Sequence, residues 1–280
     1  MRRPVVRRRA ASADDLQRGP ALRRLRPPRL ADLRAPFRRP LLALAVATAA
    51  ASLVFVLFPQ VDLAVTRRFH VAGSGFPATS DAILGSLRDL GQAATRMLVA
   101  VPLAALLVPL LFGGARFLMR SKDALFLLVA TLLGPGLLVS VVLQGFWGRA
   151  RPRDVADFGG AFDFSRAWVP SDACAWNCSF VSAESAAAMQ LVAFAFVCPR
   201  PWRRTVAVVA VAFAVAVSLN RVAFGGHFLS DVVISWLLTL LVTLAVRRAF
   251  EAPAFPLTEE AITGWLGRTG ERLRRAAGGS

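Results

Sequence analysis

The stretch ALFLLVATLLGPGLLVSVVLQGF, residues 124–146, contains no charged side chain. An α-helix rises 1.5 Å per residue, so a helix of this length crosses the roughly 30 Å hydrocarbon layer of a bilayer. The stretch therefore predicts a membrane-spanning helix. The rest of the chain has to be judged with the bilayer as its solvent.

The composition of the whole chain agrees with that prediction. Hydrophobic residues make up 56% of the chain and the mean hydropathy is +0.54, which is too apolar for a soluble domain of this length. The net charge of +17 comes from 34 basic and 17 acidic residues. In a membrane protein such an excess marks cytoplasmic loops, so we expect a membrane and no nucleic acid as the partner.

Apolar stretches recur along the chain and predict an all-α integral membrane fold, a bundle of six transmembrane helices. Basic residues in the second and fourth loops and after the last stretch place both termini in the cytoplasm. We expect a disordered arginine-rich cytoplasmic tail over 1–40, a membrane domain over 41–248, and a cytoplasmic tail with an amphipathic helix over 249–280. The predicted spans are 41–58, 97–112, 124–146, 183–198, 204–219 and 231–247.

The loop over 147–182 would face outward in this topology. Cys174 and Cys178 lie in it, and a disulfide between them is expected if that side is oxidising. Their spacing is short for a zinc site, and no second pair of ligands accompanies them. The sequence indicates no metal, no cofactor and no particular oligomeric state.

Three polar segments fall at the outward ends of the predicted spans, and a bundle would bring them to one membrane face. They are QGFWGRARPR (144–153), NCSFVSAES (177–185) and NRVAFGGHFLSD (220–231). The guanidinium groups of Arg151 and Arg221 suit bidentate binding of phosphoryl oxygens. These residue types in combination predict a phosphate site.

His227 and Asp231 lie four residues apart in the third segment. If a helix begins near His227, both lie on one face and the carboxylate can bond one ring nitrogen. Such a bond fixes the tautomer and leaves the other nitrogen free to attack phosphorus. The spacing therefore predicts a histidine nucleophile.

The sequence resembles the type 2 phosphatidic acid phosphatase superfamily over about 41–248. Its pattern is Lys-x6-Arg-Pro, then Pro-Ser-Gly-His, then Ser-Arg-x5-His-x3-Asp, matched here by Arg151 with its following proline, by Ser182, and by Arg221, His227 and Asp231. The resemblance implies a six-helix, metal-independent membrane enzyme that removes phosphate from lipids through a phosphohistidine. It makes His227 the nucleophile, oriented by Asp231, with Arg151, Ser182 and Arg221 on the phosphate.

The chain departs from the family pattern at four positions. Gln144 replaces the lysine, Ala183 the glycine, Glu184 the histidine that protonates the leaving group, and Asn220 the serine. A buried glutamate can carry that proton, so either Glu184 or a water is expected to protonate the leaving oxygen. The segment FVSAE resembles the lipid A 1-phosphatase type.

The loss of the lysine charge at Gln144 predicts weakened activity, because catalysis of phosphoryl transfer is largely electrostatic. Gln144 still donates a hydrogen bond, and Arg149 is the candidate to supply the missing charge.

Other readings of the same residues stay open. Arg151 and Arg221 can snorkel to lipid phosphates, Ser182 can be an N-cap, and Glu184 can stabilise a helix N-terminus. For the whole protein we expect a lipid phosphatase of the bacterial inner membrane with a periplasmic active site. The alternatives are a degenerate protein that binds lipid phosphates, or a lipid phosphotransferase.

Overall fold

The structure, a computed structural model, describes residues 30–112, 119–253 and 255–278. Two isolated β-bridges occur within those ranges but no β-strand, which confirms the all-α fold. We number the helices α1 (Leu30–Leu57), α2 (Gln60–Arg67), α3 (Ala82–Phe112), α4 (Ser121–Phe146), α5 (Ala183–Val197), α6 (Arg203–Ala223), α7 (Leu229–Glu251) and α8 (Glu259–Gly278).

Within the described residues, five helices are long and apolar enough to cross a membrane, so the predicted count of six is not confirmed. They are Arg39–Leu57, Ala82–Phe112, Ser121–Phe146, Arg200–Ala223 and Leu229–Glu251. The second begins well before the predicted 97. The helical segment also includes residues 30–40, which were assigned to the tail, while 1–29 lie outside the described residues.

The fourth predicted span, 183–198, corresponds to the shorter helix α5. It packs against α3, α4, α6 and α7 and is therefore central in the bundle. Its end contacts a cluster that contains Phe126 near the start of α4 and Phe250 near the end of α7. Because protein rather than lipid surrounds most of α5, the helix does not need to match the thickness of a bilayer.

Large apolar side chains cover the outer surface of the bundle. Leu103, Leu107 and Leu111 on α3 are each at least 39% exposed, and valines on α6 are similarly accessible. A soluble protein rarely shows so continuous an apolar surface. Such a surface is typical of a protein surrounded by lipid hydrocarbon.

Helix α4 contains a π-helical stretch, Leu132–Leu143, that includes Pro135. Proline has no N–H and clashes with the carbonyl one α-turn earlier, and a wider turn relieves both problems. The Ser140 hydroxyl donates to the Pro135 carbonyl at 2.7 Å, which adds a bond within the widened turn. The stretch ends directly before the first polar segment.

The C-terminal helix α8 packs against α3 and α4 at the end of the bundle opposite the polar segments. The Glu259 carboxylate accepts the backbone N–H groups of Ser121 and Lys122 at 3.0 and 2.8 Å. Arg274 Nη1 donates to the carbonyl of Leu110 at 3.0 Å. The negative charge of Glu259 thus lies at the N-terminus of α4, and the positive charge of Arg274 lies at the C-terminus of α3. The helix dipoles favour both arrangements.

Candidate active site

The three polar segments meet at one end of the bundle, as their spacing predicted. The Ser179 N–H donates to the Arg149 carbonyl at 2.8 Å, which joins the first segment to the second. The Ser182 N–H donates to the Asp231 carbonyl at 3.2 Å, and the Arg153 N–H donates to the Gly225 carbonyl at 3.1 Å. Backbone hydrogen bonds therefore fix the segments to one another.

His227 lies in the turn between α6 and α7, and its side chain is buried. Its Nδ1 is 2.7 Å from the carbonyl oxygen of Ser179. A carbonyl only accepts, so Nδ1 carries the proton and the lone pair is on Nε2. Burial, followed by the charges of Arg221 and Arg151, lowers the pKa of His227 well below its usual value. The imidazole is therefore neutral at neutral pH.

Asp231 does not bond the imidazole, contrary to the prediction from the four-residue spacing. Its Oδ2 is 4.0 Å from Nδ1 of His227. The carboxylate turns back over the first turn of α7, where it accepts the Phe228 N–H at 2.8 Å and the Ser179 hydroxyl at 2.6 Å. Ser179 connects the two groups, since its hydroxyl bonds Asp231 and its carbonyl bonds the histidine. Sequence reasoning missed Ser179.

Arg149 does not join the phosphate-binding residues as predicted. Its side chain has no exposed surface, with Nη1 2.7 Å from Asp231 and Nη2 2.9 Å from Asp62. It also donates to the Ser230 hydroxyl at 2.9 Å and the Ser165 carbonyl at 2.8 Å. An arginine with these bonds to two buried carboxylates is not available to a substrate.

Asp62, on α2, is the second residue that sequence reasoning missed. It is fully buried and also accepts the Ser230 N–H at 2.8 Å. The signal was a single carboxylate among apolar residues just after the first span, a position where an ionisable group usually has a partner.

Arg221 and Glu184 form an ion pair, with 3.1 Å between Nε and Oε2. The arginine side chain is 4% exposed and that of the glutamate 27%, so Glu184 is the more accessible partner. Gly226 allows this arrangement, because a Cβ at that position would lie 2.8 Å from Nη2 of Arg221. The two predicted site residues are thus brought together.

Arg151 lies beside the second segment, where Nη2 donates to the Asn177 carbonyl at 2.7 Å and to its side-chain oxygen at 2.9 Å. Burial, and then the charge of Arg153, lowers the pKa of Arg151. Arg153 was missed from the sequence, although its charge is close enough to lower the pKa of His227 as well. The charges of Arg221, Arg151 and Arg153 therefore all act on the histidine, even though Gln144 is neutral.

Ser182 is the N-cap of α5. It is fully buried, and its hydroxyl accepts the Ser185 N–H at 3.3 Å. Gln144 is also buried, and its carbonyl accepts the Cys178 N–H at 2.9 Å. Cys178 is joined to Cys174 by a disulfide. The observed cap agrees with the alternative reading of Ser182, and phosphate binding by Ser182 and Gln144 stays a prediction.

The described part of the chain contains no group of three His, Cys, Asp or Glu side chains placed to hold a metal ion. The fold and the site are those of a membrane protein with a buried neutral histidine among arginines. The chain belongs to the PAP2 superfamily, whose family model matches residues 123–253, from the start of α4 to the end of α7.

Three curated relatives extend the match over about 70% of the chain. The lipid A 4′-phosphatase of Rhizobium leguminosarum is 35% identical over 71% of this chain and 91% of its own length. The enzymes of that name from Rhizobium etli and Francisella tularensis subsp. novicida are 32% and 30% identical, over 71% and 69% of this chain and 82% and 87% of their own.

All three relatives are named for the 4′ position, which differs from the 1-phosphatase type suggested by FVSAE. A solved transmembrane PAP2 type phosphatidylglycerolphosphate phosphatase from Bacillus subtilis has a TM-score of 0.41 and 16% identity, and covers 74% of this chain and 94% of its own.

Proposed function

We propose that this protein hydrolyses a phosphate monoester or diphosphate of a membrane lipid through a phosphohistidine on His227, without metal or cofactor. The names of the relatives make the 4′-phosphate of lipid A the first candidate substrate. The observation that carries the proposal is the bond from Nδ1 of His227 to the Ser179 carbonyl, which leaves the lone pair of Nε2 as the nucleophile.

In the first step, Nε2 of His227 attacks phosphorus and a P–N bond forms while the P–O bond to the lipid breaks. Arg151 and Arg221 bind the equatorial oxygens and stabilise the charge that develops on them. The lipid oxygen leaves with a proton from Glu184. The Ser179 carbonyl holds the ring through Nδ1, and Asp231 in turn accepts the Ser179 hydroxyl. The Asp231 carboxylate, 4.0 Å from Nδ1, offsets the positive charge of the ring in the intermediate.

Glu184 changes partner in this scheme. Glu184 is paired with Arg221 at 3.1 Å, and an incoming phosphate competes for the same guanidinium. In this scheme the displaced Glu184 carries the proton that the leaving lipid oxygen takes up. In the second step Glu184 takes a proton from water, the water oxygen attacks phosphorus, and the P–N bond breaks to release inorganic phosphate and His227.

Gln144 lies in the first motif without the lysine charge, and we propose that this weakens the enzyme. Arg151 and Arg153 supply positive charge near His227. Gln144→Lys is therefore expected to increase phosphate release, with Gln144→Ala at or below the wild-type rate.

The active site is proposed to face the periplasm of a bacterial inner membrane. The support is the distribution of basic residues, since Arg120, Lys122, Arg247 and Arg248 lie at the opposite end of the bundle from His227.

The test is phosphate release by detergent-purified protein from lipid A, phosphatidic acid, phosphatidylglycerophosphate and a polyprenyl diphosphate, with and without EDTA. Release that persists in EDTA, disappears in His227→Ala and survives in His70→Ala supports the proposal. Release abolished by EDTA would contradict metal independence. Binding without any turnover favours a degenerate binding protein, and transfer of labelled phosphate to a second lipid favours a phosphotransferase.

A further inference from the structure

A short segment at the active-site end of the bundle contacts two of the proposed catalytic groups. The Ser179 carbonyl lies 2.7 Å from Nδ1 of His227. Two residues earlier, Asn177 accepts two bonds from Nη2 of Arg151, at 2.7 Å to its backbone carbonyl and at 2.9 Å to its side-chain oxygen. Cys178, between them, is fully buried and forms one half of the disulfide. Whatever holds this segment in place therefore acts on both groups.

The tip of the loop, residues 174–177, has few other attachments. Among the described residues, no backbone–backbone hydrogen bond involves this tip. Trp176 packs against Gly145, where a Cβ would lie 2.6 Å from the indole ring. The disulfide closes the tip from Cys174 to Cys178, with 5.7 Å between their Cα atoms. A segment with so few bonds opens easily unless a covalent link closes it.

Asn177 has a left-handed backbone, with a φ of +55°. Asparagine tolerates this conformation better than most residues with a Cβ, whereas a β-branched residue is strained in it. In this conformation the backbone carbonyl and the side-chain oxygen of Asn177 both face Nη2 of Arg151. Within the described part of the chain neither Nε nor Nη1 of Arg151 has an acceptor, so both can bind phosphoryl oxygens. Asn177 therefore orients the guanidinium without using the donors that a phosphate needs.

We propose that Asn177 is a positioning residue of the reaction and that the disulfide holds it in place, so that only the oxidised protein presents Arg151 correctly to the lipid phosphate. Opening the loop separates Asn177 from Arg151 and loosens Ser179, whose carbonyl fixes the tautomer of the histidine. Disulfides form and persist in oxidising compartments, so activity follows the redox state of the side on which the loop lies. The inference rests on the proposed function and deepens it by naming a positioning residue and a condition for activity.

The first experiment measures phosphate release from the lipid that wild type hydrolyses fastest, well below the Tm, with and without tris(2-carboxyethyl)phosphine. The phosphine gives two electrons to the disulfide and takes an oxygen from water, whose two protons convert the sulfurs to thiols. Misplacing a catalytic group by about 1 Å can cost about 100-fold, so reduction is expected to lower kcat/KM by about 10- to 100-fold. Reoxidation with oxidised glutathione should restore it.

Cysteine variants identify the thiols responsible. The double variant Cys174→Ser with Cys178→Ser should match the reduced protein and should not respond to the phosphine. Cys198→Ser removes the free cysteine and should respond as wild type does.

Asn177 is tested separately in the oxidised protein. Asn177→Gly permits the left-handed backbone and keeps the carbonyl bond to Arg151, so the loss of the side-chain bond should raise KM by less than about 10-fold. Asn177→Val is strained at this φ and should lose both bonds, with KM raised by at least about 10-fold. Gly159→Val is the matched control, because Gly159 has a φ of +88° in the same loop and no atom lies within 4 Å of its Cβ position. It should lower the Tm about as much as Asn177→Val and leave KM unchanged.

An unchanged kcat/KM in protein whose reduction is verified by mass spectrometry would overturn the proposal. So would equal KM values for Asn177→Val and Gly159→Val. If wild type releases no phosphate from any lipid phosphate, the proposed function fails instead, and the positioning is read from binding of inorganic phosphate by isothermal titration calorimetry. The Kd of oxidised wild type must then be lower than that of the reduced protein and of Asn177→Val. Equal Kd values, or no binding by wild type, would overturn the assignment.

Discussion

Replacing Arg149 by methionine tests the buried charge network behind the histidine. The change removes the guanidinium from between Asp62 and Asp231, whose side chains have no exposed surface. Both carboxylates keep other donors, because Asp62 still accepts from Ser230 and Asp231 from Ser179 and Phe228. The cost is therefore that of one broken buried ion pair, about 3–5 kcal/mol, rather than that of two bare carboxylates.

Asp62→Asn perturbs the same network and is expected to cost less stability than Arg149→Met. Arg149 keeps Asp231 as its partner, and an amide oxygen still accepts a hydrogen bond, so the expected cost is about 1–3 kcal/mol. Arg67→Met is the matched control, because Arg67 pairs with Asp157 at 3.4 Å on the surface and its side chain is 62% exposed. Such exposed pairs contribute about 0–1 kcal/mol.

Thermal unfolding in detergent micelles measures the three variants. At about 2 °C or more per kcal/mol for a chain of this size, Arg149→Met is expected to lower the Tm by at least about 6 °C. The order of loss should be Arg149→Met, then Asp62→Asn, then Arg67→Met. A midpoint for Arg149→Met equal to that of Arg67→Met would refute the reasoning. So would a larger loss for Asp62→Asn than for Arg149→Met.

Three further outcomes are expected. The pKa of His227 is lowered in the folded protein, so below pH 6.5 the unfolded chain binds a proton that the folded chain does not bind. The Tm should therefore fall as the pH drops below 6.5, and it should fall less in His227→Asn. A pH series of melting curves measures both. Gly226→Ala places a Cβ 2.8 Å from Nη2 of Arg221 and should lower phosphate release with a folded bundle, whereas an unchanged rate would remove Gly226 from the argument. The Cys174–Cys178 disulfide closes a short loop beside the site, so reduction should lower the Tm modestly, and a double serine variant should not respond to reductant.

The sequence predicted what depends on composition and spacing. Apolar stretches predicted the helical membrane fold, and motif spacing predicted that Arg221, Glu184 and His227 would meet. It did not predict that α5 is short, because hydropathy does not show which helix is enclosed by the others. Nor did it predict the partners of Asp231, since four-residue spacing places two side chains on one face without showing which donor is nearer.

For Arg96 and Arg149 the sequence pattern predicted the wrong location. The apolar run begins after Arg96, so the sequence placed Arg96 outside the span, whereas α3 begins at Ala82 and includes Arg96 with its side chain exposed. Arg149 belongs to an arginine-rich segment that reads as a substrate site. Its contacts with Asp62, 87 positions earlier in the chain, and with Asp231 show that it is internal.

The π-helical stretch of α4 has a consequence for the angular phase of the chain. A π-turn contains more residues than an α-turn, so each residue advances less about the helix axis. Over Leu132–Leu143 this lag accumulates, and Gln144 emerges at an azimuth that a helical wheel drawn through 124–146 would not give. Deleting one residue within the stretch would partly restore the α phase and rotate the whole first polar segment about its axis. A wheel-based choice of lipid-facing positions on α4 should therefore be made separately before and after the stretch.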